Sequence, residues 1–373
     1  MKPAPDEEKI LGIELLRFAS ALAVLIFHYQ HFAFVGTSLP PDFDRAAQPF
    51  YAWLRPFYTG GYYGVQVFWC ISGFIFYWKY AARIAERGID GYRFFVLRFS
   101  RLYPLHFVTL LFMAGMQLLY HARNGSSFVY PNNDLSHFVL QLALASNWGM
   151  KVGESFNGPI WSISIEVLVY AVFFCSLRYI SRSLVFMGTI ALAATLIHGL
   201  GVSTHALFPC VAFFYLGCVS AWVYEWQRRS RRAGVIATAG ALALVAVALA
   251  FGLYLRMPPK YVLEFLAPAS IFLCVEHVRP SDRIAHWLIP LGNMTYSSYL
   301  LHVPVQIVIA TICSYADWRL PFEQPASFLA FIAVTLFLSY WSYRLFEMPM
   351  QTLVRRHLLR ARLPTLSHSV SMT

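Results

Sequence analysis

Charged residues are scarce in this sequence: Asp, Glu, Lys and Arg together make up 13% of its 373 positions. A soluble globular domain carries roughly 25%, whereas 58% of the residues here are hydrophobic. No polar stretch long enough for a separate soluble domain interrupts the apolar runs, which recur along the whole chain. The composition therefore excludes an ordinary soluble protein and predicts one all-α membrane domain.

The sequence also lacks the cysteine pattern of a redox or zinc site. Its six cysteines form no CxxC pair and show no even spacing, so we predict neither a disulfide framework nor a metal site. No small-residue cleavage site follows the first apolar run, which predicts a retained helix and not a removed signal peptide. No permanently bound cofactor is expected.

A net charge of +11 is high enough to raise the question of nucleic-acid binding. However, the Lys and Arg residues lie in short clusters between apolar runs, as orientation signals of membrane proteins do. We therefore predict membrane lipids, and no nucleic acid, as the surroundings of this chain.

Ten segments are apolar and about 20 residues long, the length that a crossing helix needs. We predict crossings at 11–34, 61–79, 102–121, 159–177, 184–201, 207–225, 234–255, 261–278, 287–312 and 325–346.

The basic residues indicate the orientation of these helices. With a cytoplasmic N-terminus, 22 of the 29 Lys and Arg residues fall on the inner side. A further crossing at 138–148 would move the RRSRR cluster at 228–232 outside, against the positive-inside rule. We therefore expect ten helices with both termini cytoplasmic, and a surface or re-entrant piece at 138–148. Residues 1–350 form the membrane domain, and 351–373 a basic cytoplasmic tail with a loose end.

The first predicted helix carries Arg17 and His28 on one face. Eleven residues are about three turns, so the two side chains lie about 16 Å apart along the axis. Glu14, three residues before Arg17, can pair with it. Ionisable groups inside a bilayer are costly and usually functional. The alternatives are an arginine reaching the interface and a histidine hydrogen-bonded between helices.

Two arginines, Arg98 and Arg101, lie at i and i+3 at the inner start of the third predicted helix. Paired guanidinium groups there suit a phosphate-bearing ligand from the cytoplasm. Ordinary orientation charges are the alternative.

Polar residues of three further helices are predicted to reach the depth of His28. Ser162 and Glu166 are one turn apart, and the carboxylate can orient the imidazole or simply hold helices together. Ser72 of the second helix and His302 of the ninth lie in the same predicted layer.

Five blocks of the sequence resemble, in order, those of the acyltransferase-3 superfamily of integral membrane acyltransferases. They are GIELLRFASALAVLIFH (12–28), GVQVFWCISGFI (64–75), FFVLRFSRLYPL (94–105), WSISIEVLVY (161–170), and the pair LGNMTYSSYLLHVPV (291–305) with YRLFEMP (343–349).

The resemblance implies about ten helices and transfer of an acyl group, commonly acetyl from acetyl-coenzyme A, across the membrane. The acceptor is usually a hydroxyl of a sugar or another extracytoplasmic molecule. By position, His28 resembles the essential histidine, with Arg17 as its partner. Arg98 and Arg101 resemble the donor-side pair. In two respects the sequence departs from the pattern: Glu14 stands where Asp is common, and no extracytoplasmic SGNH-type domain follows, so we expect transfer within the membrane domain or with a separate partner.

From this we predict an O-acyltransferase of the bacterial inner membrane, with acyl-coenzyme A as co-substrate and a surface or exported glycan as favoured acceptor. His28 would act as general base or as transient acyl carrier. The donor acyl group and the acceptor stay open. A secondary transporter and a relative that keeps the fold without the chemistry are the alternatives.

Overall fold

The computed structural model describes residues 10–151, 153–278 and 281–360, and within these ranges the chain is helical, with no β-sheet. The prediction of an all-α protein is confirmed for this part. In chain order the α-helices are α1 Leu11–His28, α2 Tyr51–Gly60, α3 Gly64–Ala85, α4 Gly91–Asn124, α5 Leu135–Leu142, α6 Ile160–Tyr179, α7 Leu184–Gly199, α8 Leu207–Gln227, α9 Arg231–Leu253, α10 Pro259–His277, α11 Asp282–Asn293, α12 Thr295–Tyr315, α13 Pro325–Ser342 and α14 Met348–Arg360.

Seven helical segments of the described chain are long and apolar enough to cross a membrane: 11–33, 91–124, 160–179, 207–227, 231–253, 295–315 and 325–359. Helix α7 is apolar but has only 16 residues. The predicted crossings at 61–79 and 261–278 correspond to helices α3 and α10. These two helices are not among the seven segments that are long and apolar enough to cross a membrane. The chain is thus a multi-pass membrane protein, while the count of ten and the side of each terminus stay predictions.

Two predicted segments differ in extent from the observed helices. Helix α4 begins at Gly91, eleven residues earlier than predicted, because the Asp90 side chain accepts a hydrogen bond from the Arg93 amide and caps the helix. Arg98 and Arg101 therefore lie in its second and third turns. The predicted crossing at 287–312 is divided near Met294 into α11 and α12.

The segment 138–148 contains the end of α5, a helix of eight residues that is too short to cross a bilayer. Asp134 caps α5 by accepting a hydrogen bond from the His137 amide, and the helix ends at Leu142. This agrees with the prediction of a surface or re-entrant piece.

The predicted tail from residue 351 onward begins as part of the folded protein. Residues up to 360 belong to α14, which packs on α4: Arg355 donates a hydrogen bond to Ser100 (3.1 Å), and the Tyr92 hydroxyl donates to the Leu358 carbonyl (3.0 Å). Residues 361–373, predicted to be loose, and residues 1–9 lie outside the described part of the chain.

Helices α3 and α8 approach each other most closely at two glycines. A Cβ atom on Gly73 would overlap the Phe214 carbonyl, and one on Gly217 would overlap the Cys70 carbonyl. The Cys218 thiol donates a hydrogen bond to the Gly73 carbonyl oxygen at 3.4 Å. Small residues allow such close backbone approach between membrane helices, and this crossing fixes the position of α3 beside the site described below.

We expect Gly217→Val to destabilise the protein, because the added side chain would push α8 away from α3; overpacking typically costs about 1–3 kcal/mol. The measurement is the thermal unfolding midpoint of detergent-solubilised protein. Gly115→Val is the matched control, since a Cβ on Gly115 of α4 meets no atom within 4 Å. Equal midpoints for the two variants would contradict this account of the crossing.

Candidate active site

A cavity of about 530 Å³ lies between α1, α3, α4, α6 and α12, at the end of the bundle where α1 begins. Its lining is strongly basic. Among the described residues that line it, two are acidic, Glu14 and Glu166, and seven are basic: Arg17, Lys79, Arg83, Arg93, Arg98, Arg101 and Arg355. A cleft lined by charges of one sign raises the local concentration of ligands of the opposite sign, so the cavity favours an anion.

Arg98 is held by aromatic groups of α3. Its guanidinium donates a hydrogen bond to the Tyr80 hydroxyl (2.6 Å) and lies 4.6 Å from the centre of the Phe76 ring. No ion pair of Arg98 with a carboxylate is formed among the described residues. The side chain is therefore fixed in the cavity wall without being neutralised by direct contact with an acid.

Arg17 and Arg101, in contrast, each form an ion pair. Arg17 lies 3.2 Å from Glu14, the pairing that their spacing predicts. Arg101 lies 3.7 Å from the Glu347 carboxylate, which also accepts a hydrogen bond from Ser297 of α12 (2.8 Å). Glu347 belongs to a wide helical turn, Tyr343–Glu347, which joins α13 to α14. Arg98 and Arg101, predicted as a donor-binding pair, thus have different surroundings: aromatic groups hold Arg98, and a carboxylate pairs with Arg101.

A contact with His28, which Glu166 would need to orient the imidazole as predicted, is not formed among the described residues. The Glu166 carboxylate instead accepts a hydrogen bond from the Tyr170 hydroxyl (2.7 Å). Both Glu166 and Ser72 line the basic cavity, and His28 does not. The described structure therefore contains no contact through which Glu166 could orient His28.

The reason lies in the start of α6. Asn157, just before this helix, is fully buried and donates a hydrogen bond to the Leu300 carbonyl of α12 (3.0 Å), and Ile160 is fully buried as well. Helix α6 thus begins inside the protein, not at its surface. The prediction assumed that this helix begins at the membrane boundary, at residue 159, and counted the depth of Glu166 from there. Because the helix begins inside the protein, that count placed Glu166 too close to the depth of His28.

Hydroxyl groups close the cavity at its deep end. Ser162 and Tyr299 both line it, and their hydroxyl oxygens are 2.7 Å apart. Each is also within hydrogen-bond distance of the Pro159 carbonyl, at 3.1 and 3.0 Å. The Tyr299 ring centre lies 6.0 Å from that of His302, so Tyr299 separates the basic cavity from a second group of polar residues.

This second group is a cluster of three imidazoles, His28, His31 and His302. The ring centre of His28 lies 4.8 Å from that of His302 and 4.9 Å from that of His31. His302 is fully buried, His31 is 6% exposed, and His28 is partly exposed. The structure therefore brings His28 and His302 together, as their predicted depths require.

Gln306 ties the cluster together. Its amide nitrogen donates to the His28 carbonyl (2.7 Å), and its amide oxygen lies 3.1 Å from Nδ1 of His31. Neither Gln306 nor His31 is among the site residues predicted from the sequence. The signal for both was their spacing from predicted residues: His31 lies three residues after His28, and Gln306 lies four residues after His302, so each is about one helical turn away. Among the described residues, no group of His, Cys, Asp or Glu is arranged to hold a metal ion.

Comparison of the sequence with known proteins finds one family model and two curated relatives, all described as acyltransferases or transacylases. The family model described as "Acyltransferase domain" matches residues 10–344. Two curated relatives are similar over most of their length. One, named as a membrane-bound transacylase, is BcsY of Komagataeibacter xylinus, 27% identical over 77% of this chain and 75% of its own. The other is the acyltransferase MdmB of Streptomyces mycarofaciens, 26% identical over 81% of this chain and 80% of its own. No solved structure matches significantly.

The Arg101–Glu347 pair gives a stability prediction. Glu347 is 3% exposed and the Arg101 side chain 28% exposed, so Glu347→Leu leaves a partly buried guanidinium without its partner. Breaking a fully buried pair typically costs about 3–5 kcal/mol, and the partial exposure of Arg101 reduces this cost. We expect a clearly lower thermal unfolding midpoint, partly restored in the double variant Arg101→Met/Glu347→Leu.

Glu323→Leu is the matched control, because Glu323 forms an ion pair with Arg319, whose side chain is 87% exposed, and exposed pairs contribute little. A Glu347→Leu protein as stable as the Glu323→Leu protein would contradict the assigned contact.

Proposed function

The chain belongs to the acyltransferase family whose model spans residues 10–344, and on that premise we propose that it is a membrane-bound O-acyltransferase. It takes an acyl group, acetyl in the first instance, from cytoplasmic acyl-coenzyme A and transfers it to a hydroxyl of an extracytoplasmic acceptor. The observation that carries the proposal is the basic cavity ending at Tyr299, one ring away from the imidazole cluster.

The donor is proposed from the charge of the cavity. Coenzyme A carries a 3′-phosphate and a pyrophosphate, and arginine forks bind phosphate oxygens well. Arg98 has the guanidinium best suited to this role, because aromatic contacts orient it and no carboxylate of the described chain pairs with it directly. Arg17 and Arg101 add charge from their ion pairs, and the remaining lining cations extend the basic surface.

The long uncharged arm of the donor connects the two parts of the site. Arg17 and His28 lie about 16 Å apart along α1, eleven residues at 1.5 Å each. With its phosphates at the arginines, the pantetheine arm would run past Glu166 and Ser72 toward Tyr299. The hydroxyls of Tyr299 and Ser162 offer O–H groups that could polarise the thioester carbonyl there.

His28 is the proposed reactive residue. Its Nδ1 lies 2.9 Å from the Val24 carbonyl oxygen, which can only accept, so this nitrogen carries the proton. Nε2 therefore has a free electron pair, the form that a general base or a nucleophile needs. Glu166 supports the cavity wall beside Arg98 in this scheme and does not act on His28.

The acceptor is proposed to be a glycan on the far side of a bacterial inner membrane. The support is the aromatic surface of the segment before α3, where the Trp53 side chain is 79% exposed and stacks on Phe50. Aromatic faces of this kind suit sugar rings. His31, Tyr130 and Phe34 would lie between this side and His28.

We expect His28→Ala to lower acyl transfer by about 10²- to 10⁴-fold, the usual contribution of a general base, without loss of folded protein. The measurements are thiol release from acetyl-coenzyme A in membranes and the acetyl content of surface glycans, determined by mass analysis with and without the gene. His106→Ala is the matched control: His106 is fully buried on α4 and bonds to the Gln141 carbonyl (2.7 Å), away from the cluster. Wild-type transfer by His28→Ala would refute the assignment, and solute transport that leaves the thioester intact would refute the function.

A different result is expected for Arg98→Ala. Hydrogen bonds to charged groups contribute about 1.5–3 kcal/mol, so the half-saturating concentration of acetyl-coenzyme A should rise about tenfold or more, with little change for the acceptor. Arg123→Ala serves as control on the same helix, because Arg123 lies at the other end and pairs with Asp317. An unchanged donor requirement would return Arg98 to the role of an orientation charge.

A further inference from the structure

We propose that the reaction is a double displacement in which His28 carries the acyl group and His302 is the base that activates the acceptor hydroxyl. This inference rests on the proposed function. It adds a second reacting imidazole, which touches the acceptor and not the donor.

The hydrogen bonds fix the proton of each ring. Nδ1 of His28 lies 2.9 Å from the Val24 carbonyl, and Nδ1 of His302 lies 3.2 Å from the Ser298 carbonyl. A carbonyl oxygen has no proton to give, so each Nδ1 must be the donor. In both rings Nε2 is then the nitrogen with the free electron pair.

His302 has no evident structural use for that electron pair. The residue is fully buried, and its Nε2 has no hydrogen-bond partner in the described part of the chain. A buried polar atom left unpaired costs about 1–3 kcal/mol, and unexplained cases occur at functional sites. Its ring centre is only 4.8 Å from that of His28.

The chemistry of an acyl-histidine explains why a second base is needed. In the first step Nε2 of His28 attacks the thioester carbonyl, an N–C bond forms, the C–S bond breaks, and the coenzyme leaves as thiolate with the electron pair. The resulting acyl-imidazolium of His28 has no electron pair left on Nε2, so His28 cannot deprotonate the acceptor.

In the second step the acceptor oxygen attacks the acyl carbon while Nε2 of His302 takes the hydroxyl proton. The C–O bond forms, the C–N bond breaks, and the electron pair returns to Nε2 of His28. His302 then releases its proton, and the thiolate gains one. The sum is one ester and one thiol from one alcohol and one thioester.

His31 is the other imidazole beside His28 that could serve as the base, but its hydrogen bond gives it a structural role that His302 does not have. The Gln306 amide nitrogen donates to the His28 carbonyl, so its oxygen accepts from Nδ1 of His31. His31 thereby braces the backbone at His28 through Gln306. In the described part of the chain no comparable link to another side chain restrains His302, whose Nδ1 is hydrogen-bonded to Ser298 of its own helix.

The test uses donor chemistry that needs no acceptor. Purified full-length protein in lipid nanodiscs is given acetyl-coenzyme A and radiolabelled coenzyme A, and the label entering acetyl-coenzyme A is measured. We expect exchange by the wild type, none by His28→Ala, and near wild-type exchange by His302→Gln, which removes the imidazole base. His302→Asn is the second variant, because its amide nitrogen can take the place of Nδ1 as donor to the Ser298 carbonyl if glutamine disturbs the packing.

Deacylation supplies the complementary measurement. Protein labelled with [¹⁴C]acetyl-coenzyme A is separated from the donor, and the loss of label from the chain is followed in water across a range of pH. His302→Gln should lengthen the half-life by about 10²-fold or more and flatten the rise of the rate with pH, a change that a purely structural role would not produce. His106→Gln is the control and should behave as the wild type in both experiments.

Each other outcome overturns the inference. If the wild type neither exchanges label nor retains acetyl, there is no acyl-enzyme, and the double displacement is wrong. If His302→Gln loses exchange and deacylation alike, its role is structural; if only His31→Gln slows deacylation, His31 is the base. The proposed function fails separately, when wild-type membranes release no thiol from acetyl-coenzyme A in the presence of the cell's own acceptors.

Discussion

The site depends on a short layer of hydrogen-bonded hydroxyls, Ser162 and Tyr299 at the Pro159 carbonyl, that lies between a basic cavity and a cluster of imidazoles. Charged groups are expensive inside a membrane protein. Here the cations of the cavity lie at one end of the bundle, where carboxylates pair with Arg17 and Arg101 and aromatic rings contact Arg98. The deeper cluster consists of three imidazoles and Gln306, and each imidazole is hydrogen-bonded through its Nδ1 atom. A ligand that uses both parts must therefore combine an anionic head with a long uncharged arm.

Helix α12 couples the two parts of the site. Its first turn carries Ser297, which bonds to the carboxylate that pairs with Arg101; Tyr299 then closes the cavity, and His302 and Gln306 contact the cluster. A movement of α12 along its axis would alter the donor cavity and the imidazoles together. Burial of almost all of its side chains in this stretch holds the helix in one position.

Much of the site could be predicted from local spacing. The Glu14–Arg17 contact follows from a three-residue step on one helix face, and the proximity of His28 and His302 follows from counting residues along two helices. Such counting failed for Glu166, because it assumed that α6 begins at a membrane boundary. The burial of Asn157 against Leu300 depends on contacts between segments far apart in sequence, and no local pattern encodes it.

The sequence alone determined the membrane setting, the helical class and the family of this chain, because apolar content, helical periodicity and ordered motif blocks are local properties. Only the tertiary structure decided how the polar residues are divided: Glu166 and Ser72 lie with the arginines, while His31 and Gln306 lie with His28 and His302. It also decided that Arg98 rests on aromatic rings while Arg101 is paired with Glu347. Spacing places a side chain on a face of its helix, but the neighbour that it meets there depends on where the other helices begin, end and cross.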